Sequence, residues 1–340
     1  MKKVYIISCA ILVFGTAAFF LAYNLFDKST VMALSSAKID VAAKAKKPEH
    51  HFAVICQNID EPFWKSIKDG ALKASNDFNI AVEFYGPRFT NLNEELEYLD
   101  MAIASRVDGI VTHVLDEGQF SPVIDKAVEY GIPVVTIDSD AKNSKRASFV
   151  GTNSYKLGTE WGKLIIEETK GKAVVAMIIN SLTGESENTV QNLMISGLKD
   201  TVKKYPAIRV KTVQAGRSGI FSAEEVTKEI LGQFPDVNVI LCTSARDTIR
   251  AAQVLVDFNR VGDIAIIGYD DTPNILKYIE KGVIYGTVAS NPQKMGYESI
   301  RALVEIKKKS TVSSYISTDV HPISARNIGN YKPGADRNQE

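Results

Sequence analysis

The chain has 340 residues, 45% hydrophobic and 24% charged, an ordinary globular composition with room for one large or two medium domains. Lys and Arg number 40 and Asp and Glu number 40, so no basic domain or stripe points to nucleic acid. The cysteines, Cys9, Cys56 and Cys242, show no Cys-x-x-Cys or Cys/His ligand spacing, which leaves no disulfide framework and no metal site to expect.

At the N-terminus, Lys2 and Lys3 precede an uncharged apolar run from Val4 to Phe26. A bilayer core takes roughly 20 such residues. A cleaved signal peptide has a shorter apolar region of about 7–15 residues and then a small-x-small site. Ala33-Leu34-Ser35 follows Asp27 and Lys28, well past the run, and Cys9 lies near the start of the run, where a lipidation site would need it after the end. Residues 1–26 are therefore expected to be an uncleaved membrane anchor, with a signal peptide as the alternative. Lys28 and Lys38 on the far side weaken the orientation bias set by Lys2 and Lys3. Residues 27–50, rich in Ser, Ala and Lys, read as a stalk or linker.

Strands and helices then alternate. Phe52–Cys56 reads as a strand, and Pro62 opens a helix carrying Phe63, Ile67 and Ala71 inward. Ala81–Tyr85 is a strand, and Asn91 caps a helix with Leu96, Leu99 and Ile103 at helical spacing. Gly109–His113 is a strand, Pro122 is expected to start a helix ending at Gly131, and Ile132–Ile137 is a strand stopping on Asp138. The pattern restarts with a helix over 153–170. It continues with strands at 173–179, 208–213, 237–242, 264–269 and 285–289, and with helices at 189–205, 223–234, 248–258, 272–281 and 292–308. An irregular tail is expected to follow. Two βα series predict two α/β domains of similar build, not a single barrel.

Two apolar strands, Ile132–Ile137 and Ile264–Tyr269, each end on a carboxylate, Asp138 and Asp270. Helix-covered parallel sheets carry functional groups just beyond the carboxyl ends of their strands, so both are expected to look into one cleft. The plainer alternative is that each Asp only begins a turn or caps a helix.

Four stretches carry a resemblance: Glu61-Pro62-Phe63-Trp64-Lys65-Ser66-Ile67-Lys68-Asp69-Gly70, Asp108-Gly109-Ile110-Val111, Gly131-Ile132-Pro133-Val134-Val135-Thr136-Ile137-Asp138, and Ile266-Ile267-Gly268-Tyr269-Asp270-Asp271-Thr272-Pro273. In this order and spacing the chain from about Phe52 to Ile328 resembles type I periplasmic sugar-binding proteins of the ribose-binding kind. These share their fold with the effector domains of LacI-type repressors. The resemblance implies an α/β fold of two doubly wound, parallel-sheet, Rossmann-like lobes joined by three crossovers, with the ligand between them. The N-terminal lobe would take 51–152 and 291–317, and the C-terminal lobe 153–290 and 318–340. The repressors carry a helix-turn-helix where this chain has its apolar segment and stalk, which argues against a repressor.

The resemblance also implies site residues. Phe63 and Trp64 fall where the family places a stacking pair; Trp64 is the stronger candidate for a wall, and core packing in the helix is the plainer alternative for Phe63. Asp138 and Asp270 match the family's strand-end carboxylates. His113 stands where the ribose-type proteins have Asn, and either a ligand or a structural role is open to it. Ser139 replaces an Arg, Met194 falls where an Arg is expected, Ser244 where an Asn is expected, and Ser290 replaces a Gln. Arg217 or Arg146 is a candidate to restore the lost guanidinium, against the plainer reading as surface charge. These departures point away from ribose and leave another pentose, a hexose or another small polyol-like molecule.

Catalysis is not expected. Gln57-Asn58-Ile59-Asp60 after the first strand is no glycine-rich turn, no cofactor fingerprint is present, and Gly216-Arg217-Ser218-Gly219 is not a nucleophile elbow. The expected output is signalling, with the closed lobes docking on the extracellular domain of a membrane sensor histidine kinase. The alternative is delivery of sugar to an ABC permease.

Overall fold

The computed structural model describes residues 47–180, 185–215, 222–309 and 311–332. Contacts divide the chain into Met1–Glu49 and His50–Glu340, and the α/β architecture lies in the second unit. The expected anchor over 1–26 and the stalk up to residue 46 lie outside the described residues. Among the described residues, no helix is long and apolar enough to cross a membrane.

The first series runs β1 (His51–Ile55), α1 (Pro62–Phe78), β2 (Ala81–Tyr85), α2 (Leu92–Ala104), β3 (Gly109–Thr112), α3 (Glu117–Glu129), β4 (Val134–Ile137) and β5 (Ser148–Thr152). The second runs α4 (Ser154–Thr169), β6 (Ala173–Asn180), α5 (Glu185–Val202), β7 (Ile208–Ala215), α6 (Ser222–Gln233), β8 (Val239–Cys242), α7 (Ala245–Asp257), β9 (Ala265–Tyr269), α8 (Pro273–Glu280) and β10 (Gly286–Ala289). Then come α9 (Pro292–Lys307), β11 (Tyr315–Thr318) and β12 (His321–Ser324).

The strands form two six-stranded sheets, ordered β11-β5-β4-β3-β1-β2 and β12-β10-β9-β8-β6-β7. All pairings are parallel except β10 with β12. These are the two doubly wound lobes. Alternate strand residues point to opposite faces. In the first lobe Phe52 and Val54 pack with α1 and α9, while Ala53 and Ile55 pack with α2 and α3. In the second, Val175 and Met177 pack with α4 and α5, while Ala176 and Ile178 pack with α6, α7 and α8.

Side chains set the helix starts. Asn91 accepts from the N–H groups of Asn93 and Glu94, and Asn153 and Asn291 accept from Lys156 and Lys294. Each lobe also brings one helix pair into backbone contact through reciprocal glycines. A Cβ on Gly70 would lie 1.8 Å from the carbonyl oxygen of Gln293, and one on Gly296 1.9 Å from that of Ile67. A Cβ on Gly158 would lie 1.9 Å from the carbonyl oxygen of Met194, and one on Gly197 2.0 Å from that of Tyr155.

The chain crosses between sheets after β5, after β10 and between β11 and β12. Asp319, in the third crossover, accepts from Lys156 at 3.1 Å and Lys294 at 3.2 Å, which begin the helices after the other two. One carboxylate thus ties all three crossovers together, and the two lysines hold its pKa below the usual carboxylate range.

Three expectations need correction. The helix expected from Pro122 starts at Glu117, because Asp116 caps it by accepting from the Gln119 N–H at 2.9 Å; Pro122 lies inside it. The tail is not irregular: β11 extends the first sheet and β12 the second. Strand β5, absent from the expected pattern, pairs with β4 and β11.

Candidate functional site

The two carboxylates lie at equivalent strand ends, Asp138 after β4 and Asp270 after β9, each on the strand beside its lobe's first crossover strand. Both have a left-handed backbone, with φ of 65° and 80°. Outside glycine that region is uncommon, Asp and Asn being the side chains that tolerate it best. Both N–H groups donate to the neighbouring strand, Asp138 to Val150 and Asp270 to Val288. Ser139 donates its N–H to the Ile137 carbonyl at 2.7 Å, so Asp138 sits at the centre of a tight three-residue turn. Strain of this kind persists where the surrounding structure fixes it, and it clusters at ligand sites.

The carboxyl ends of the two sheets face each other. Tyr269 of the second lobe feels the charges of both Asp138 and Asp270, and its hydroxyl is hydrogen-bonded to the buried Ser290. Burial and these two carboxylates push its pKa up, and the Ser290 bond opposes them. Burial raises Asp270 to about 6; the N–H of Asp271, at 2.7 Å, pulls it back down, while the carboxylates of Asp271 and of Glu61, from the opposite lobe, push it up. Asp138 keeps accessible surface, yet protein crowds it closely enough that desolvation raises its pKa, with His113 opposing the rise. That combination describes a carboxyl at the base of a cleft, reachable by water but walled by protein.

His113 follows β3, its N–H donating to the Ile55 carbonyl at 3.1 Å. It is 6% exposed, and its Nδ1 lies 3.7 Å from a carboxylate oxygen of the fully buried Glu95. The Trp64 ring meets the His113 ring edge-on, with centroids 5.4 Å apart.

The expected residues separate on this geometry. Asp138, Asp270, His113 and Ser290 gather at the strand ends. The order of the aromatic pair is reversed: Trp64, 2% exposed, shares a buried face with Ile67, Ala71 and Ala74, while Phe63 is only half-buried. The side that Trp64 was expected to offer as a wall packs instead into the core and against His113. Ser139 is half-buried beside Asp138. Ser244 caps α7, accepting from the Asp247 N–H at 3.1 Å, so its oxygen already holds a helix start. Met194 packs on the apolar cluster of Leu157 and Trp161. Arg146 is no solvated charge and no free guanidinium: it chelates Asp140, with one bond of 2.6 Å, and donates to the Ser314 carbonyl at 2.8 Å. Arg217 lies outside the described residues.

A cavity of about 580 Å³ is lined by Asn58, Asp60, Glu61, Arg88, Phe89, Thr90 and Arg246. Both lobes contribute, but none of the expected ligand residues does. Because Glu61 also acts on Asp270, this cavity is the rim of the cleft, and the strand-end carboxylates, not the cavity, mark its chemistry.

Sequence reading missed Glu95 and Tyr269. Glu95 stands four residues before Leu99 on the buried face of α2, and a carboxylate on an apolar stripe is a usable signal. Tyr269 directly precedes Asp270, and only the facing of the lobes gives it a role.

Known proteins share this architecture. Residues 52–310 match the family described as periplasmic binding protein domain. The D-allose-binding periplasmic protein of Escherichia coli K12 is 23% identical over 269 residues, 77% of this chain and 86% of that protein. The ribose import binding protein of Bacillus subtilis 168 is 22% identical over 271 residues, 80% of this chain and 86% of that one. The crystal structure of GanP, a glucose-galactose binding protein from Geobacillus stearothermophilus, is 36% identical with a TM-score of 0.73, covering 83% of this chain and 99% of that one. A chain of the XylFII-LytSN complex structure is 30% identical with a TM-score of 0.67, covering 83% of this chain and 99% of that one.

Proposed function

This chain belongs to the periplasmic binding protein family, and on that premise we propose that it is an extracytoplasmic receptor taking a small sugar, a pentose or hexose, between its lobes. The observation that carries the reading is the facing of Asp138 and Asp270 across the cleft, with Tyr269 within reach of both charges. Sugar hydroxyls donate to carboxylates in charge-assisted hydrogen bonds, and an aromatic face such as Phe63 covers the apolar C–H surface. A ligand held by Asp138 on one lobe and Asp270 on the other favours the closed form, because only that form makes both sets of contacts. The role is binding, without catalysis.

The test is a thermal-shift screen of monosaccharides on the full chain, led by glucose and galactose because GanP is named for them. A ligand of the native state raises Tm with its concentration. No shift with any pentose or hexose would overturn the reading.

The closed lobes then act on a membrane partner. The similarity to XylFII, solved in complex with LytSN, supports docking on a partner protein and with it the sensing output, through the extracellular domain of a sensor histidine kinase. The second reading, delivery to an ABC permease, is supported by the import protein among the relatives. Titration of the kinase domain and of permease vesicles, with and without sugar, separates them. By linkage, a partner that prefers the sugar-bound form tightens sugar binding by the same factor.

A further inference from the structure

Glu95 lies at 0% exposure in the first turn of α2, and among the described residues neither carboxylate oxygen has a hydrogen-bond partner. Nδ1 of His113 lies 3.7 Å from it, beyond hydrogen-bond length, and Nδ1 is itself buried without a hydrogen-bond partner among the described residues. A packing role does not explain this pair, because apolar residues of the same volume would avoid the desolvation of both groups. The positive end of the α2 dipole offsets only part of that cost.

The His113 ring is constrained on several sides. Its backbone is fixed by the Ile55 carbonyl and by the Thr112 hydroxyl, which donates to the His113 carbonyl at 2.8 Å. Trp64 stands edge-on to the ring, and Glu95 faces Nδ1. An imidazole that engages one nitrogen offers the other on the far side of its ring, and the partner of the first decides which nitrogen carries the proton. Asp138 is near enough to feel a charge placed on His113.

We infer that Glu95 is a positioning residue of the ligand site: it holds the proton of His113 on Nδ1, fixes the ring, and leaves Nε2 as an acceptor for a sugar hydroxyl beside Asp138. This rests on the sugar-receptor reading. Neighbouring sugar hydroxyls then meet two acceptors on the first lobe, the imidazole nitrogen and the carboxylate. Without Glu95 the ring is free to take the other tautomer, which turns that acceptor into a donor. The thiol of Cys56 is pushed up to about 12 by burial and by Glu95, so it stays neutral beside the pair.

The chain has four histidines, so selective ¹⁵N labelling of the full-length protein gives four sets of imidazole signals, and His113→Asn identifies one of them. At pH 8 the expected wild-type pattern for His113 is a single tautomer protonated at Nδ1. Glu95→Gln, shown folded by thermal melting, should give mixed tautomers and weaken sugar binding about ten-fold, the lower end of what loss of a histidine's supporting partner costs at metal sites. Mixed tautomers in the wild type would overturn the inference even where Glu95→Gln fails to fold. Unchanged sugar affinity in folded Glu95→Gln would also overturn it. A single Nδ1 tautomer in a chain that binds no monosaccharide would overturn the sugar reading, not the hold of Glu95 on the ring.

Discussion

The two lobes share one strand order, one glycine-paired helix crossing and one left-handed Asp at the same strand end, yet their carboxylates sit in opposite surroundings. At the position after β3 the first lobe has His113, backed by Glu95, and this ring opposes the rise in the pKa of Asp138. At the position after β8 the second lobe has Thr243, whose hydroxyl donates to the Ile178 carbonyl at 3.1 Å. Asp270 has no imidazole at that position, and Asp271 and Glu61 add to the effect of burial. Backbone and packing repeat between the lobes while the charge environment does not. The fold supplies two equivalent mounts, and the neighbouring side chains make each mount different.

The repeat is broken most strongly at the helix crossings. Gly70→Ala and Gly158→Ala each drive a Cβ into a backbone carbonyl that has no rotamer to yield. Overpacking of this kind costs about 3 kcal/mol. For a domain of this size that is roughly 6–10 °C in Tm, read by calorimetry. A large drop in one variant alone would show that the crossings are not equivalent.

Next come the carboxylates. Asp138→Ala and Asp270→Ala each remove a charge-assisted hydrogen bond worth about 1.5–3 kcal/mol, one to two decades in affinity. Calorimetric titration with the best sugar from the screen measures this, and unchanged affinity in both would reduce the strand-end carboxylates to turn residues.

A pH series sharpens the contrast between the mounts. The folded pKa of Asp270, about 6, lies above its ordinary 3.8, so the native state binds this proton more tightly than the unfolded chain does. Its contribution to stability is fully present below about pH 4 and is lost as pH rises through about 6. Asp138 and the buried Glu95 act with the same sign, and Asp319 acts with the opposite sign. The Tm of the sugar-free wild type minus that of Asp270→Asn should therefore fall between pH 5 and pH 7. A flat difference would mean that Asp270 is as well solvated as a surface carboxylate.

The smallest effect is expected at the shared crossover node. Asp319→Asn loosens two partly exposed ion pairs, each worth about 0–1 kcal/mol. Sugar affinity should change by less than about five-fold, through the balance of open and closed forms alone.

Much of this was legible in the sequence. Alternating apolar strands and amphipathic helices gave the two sheets, Asn91 and Asn153 marked helix starts, and the apolar runs ending on Asp138 and Asp270 marked two equivalent strand ends. What escaped depends on distant partners. Strands β11 and β12 are four residues long and lie at sheet edges, and β11 is mostly exposed, so neither shows clean alternation; their pairing comes from strands far earlier in the chain. Pro122 read as a helix start because proline favours the first turn, but the Asp116 cap acts before it. Trp64 is three, seven and ten residues before Ile67, Ala71 and Ala74, a spacing that marks the core face; the family likeness drew attention to its chemistry instead. The partnership of Glu95 with His113 needs α2 and β3 side by side, which no local pattern encodes.

Neither lobe is one continuous piece of chain, and this has a consequence for synthesis. The apolar face of the first sheet that Phe52, Val54, Val111 and Val135 present is completed by Met295, Ile300 and Leu303 of α9, and its edge by β11. A ribosome makes β1 first and these covers near the end. The first lobe therefore remains an open half-core until Pro292–Thr318 has emerged, and an arrested chain ending at residue 290 should be cut by protease within 51–152 where the full chain resists. The order of synthesis thus leaves the first lobe incomplete until almost all of the chain has been made.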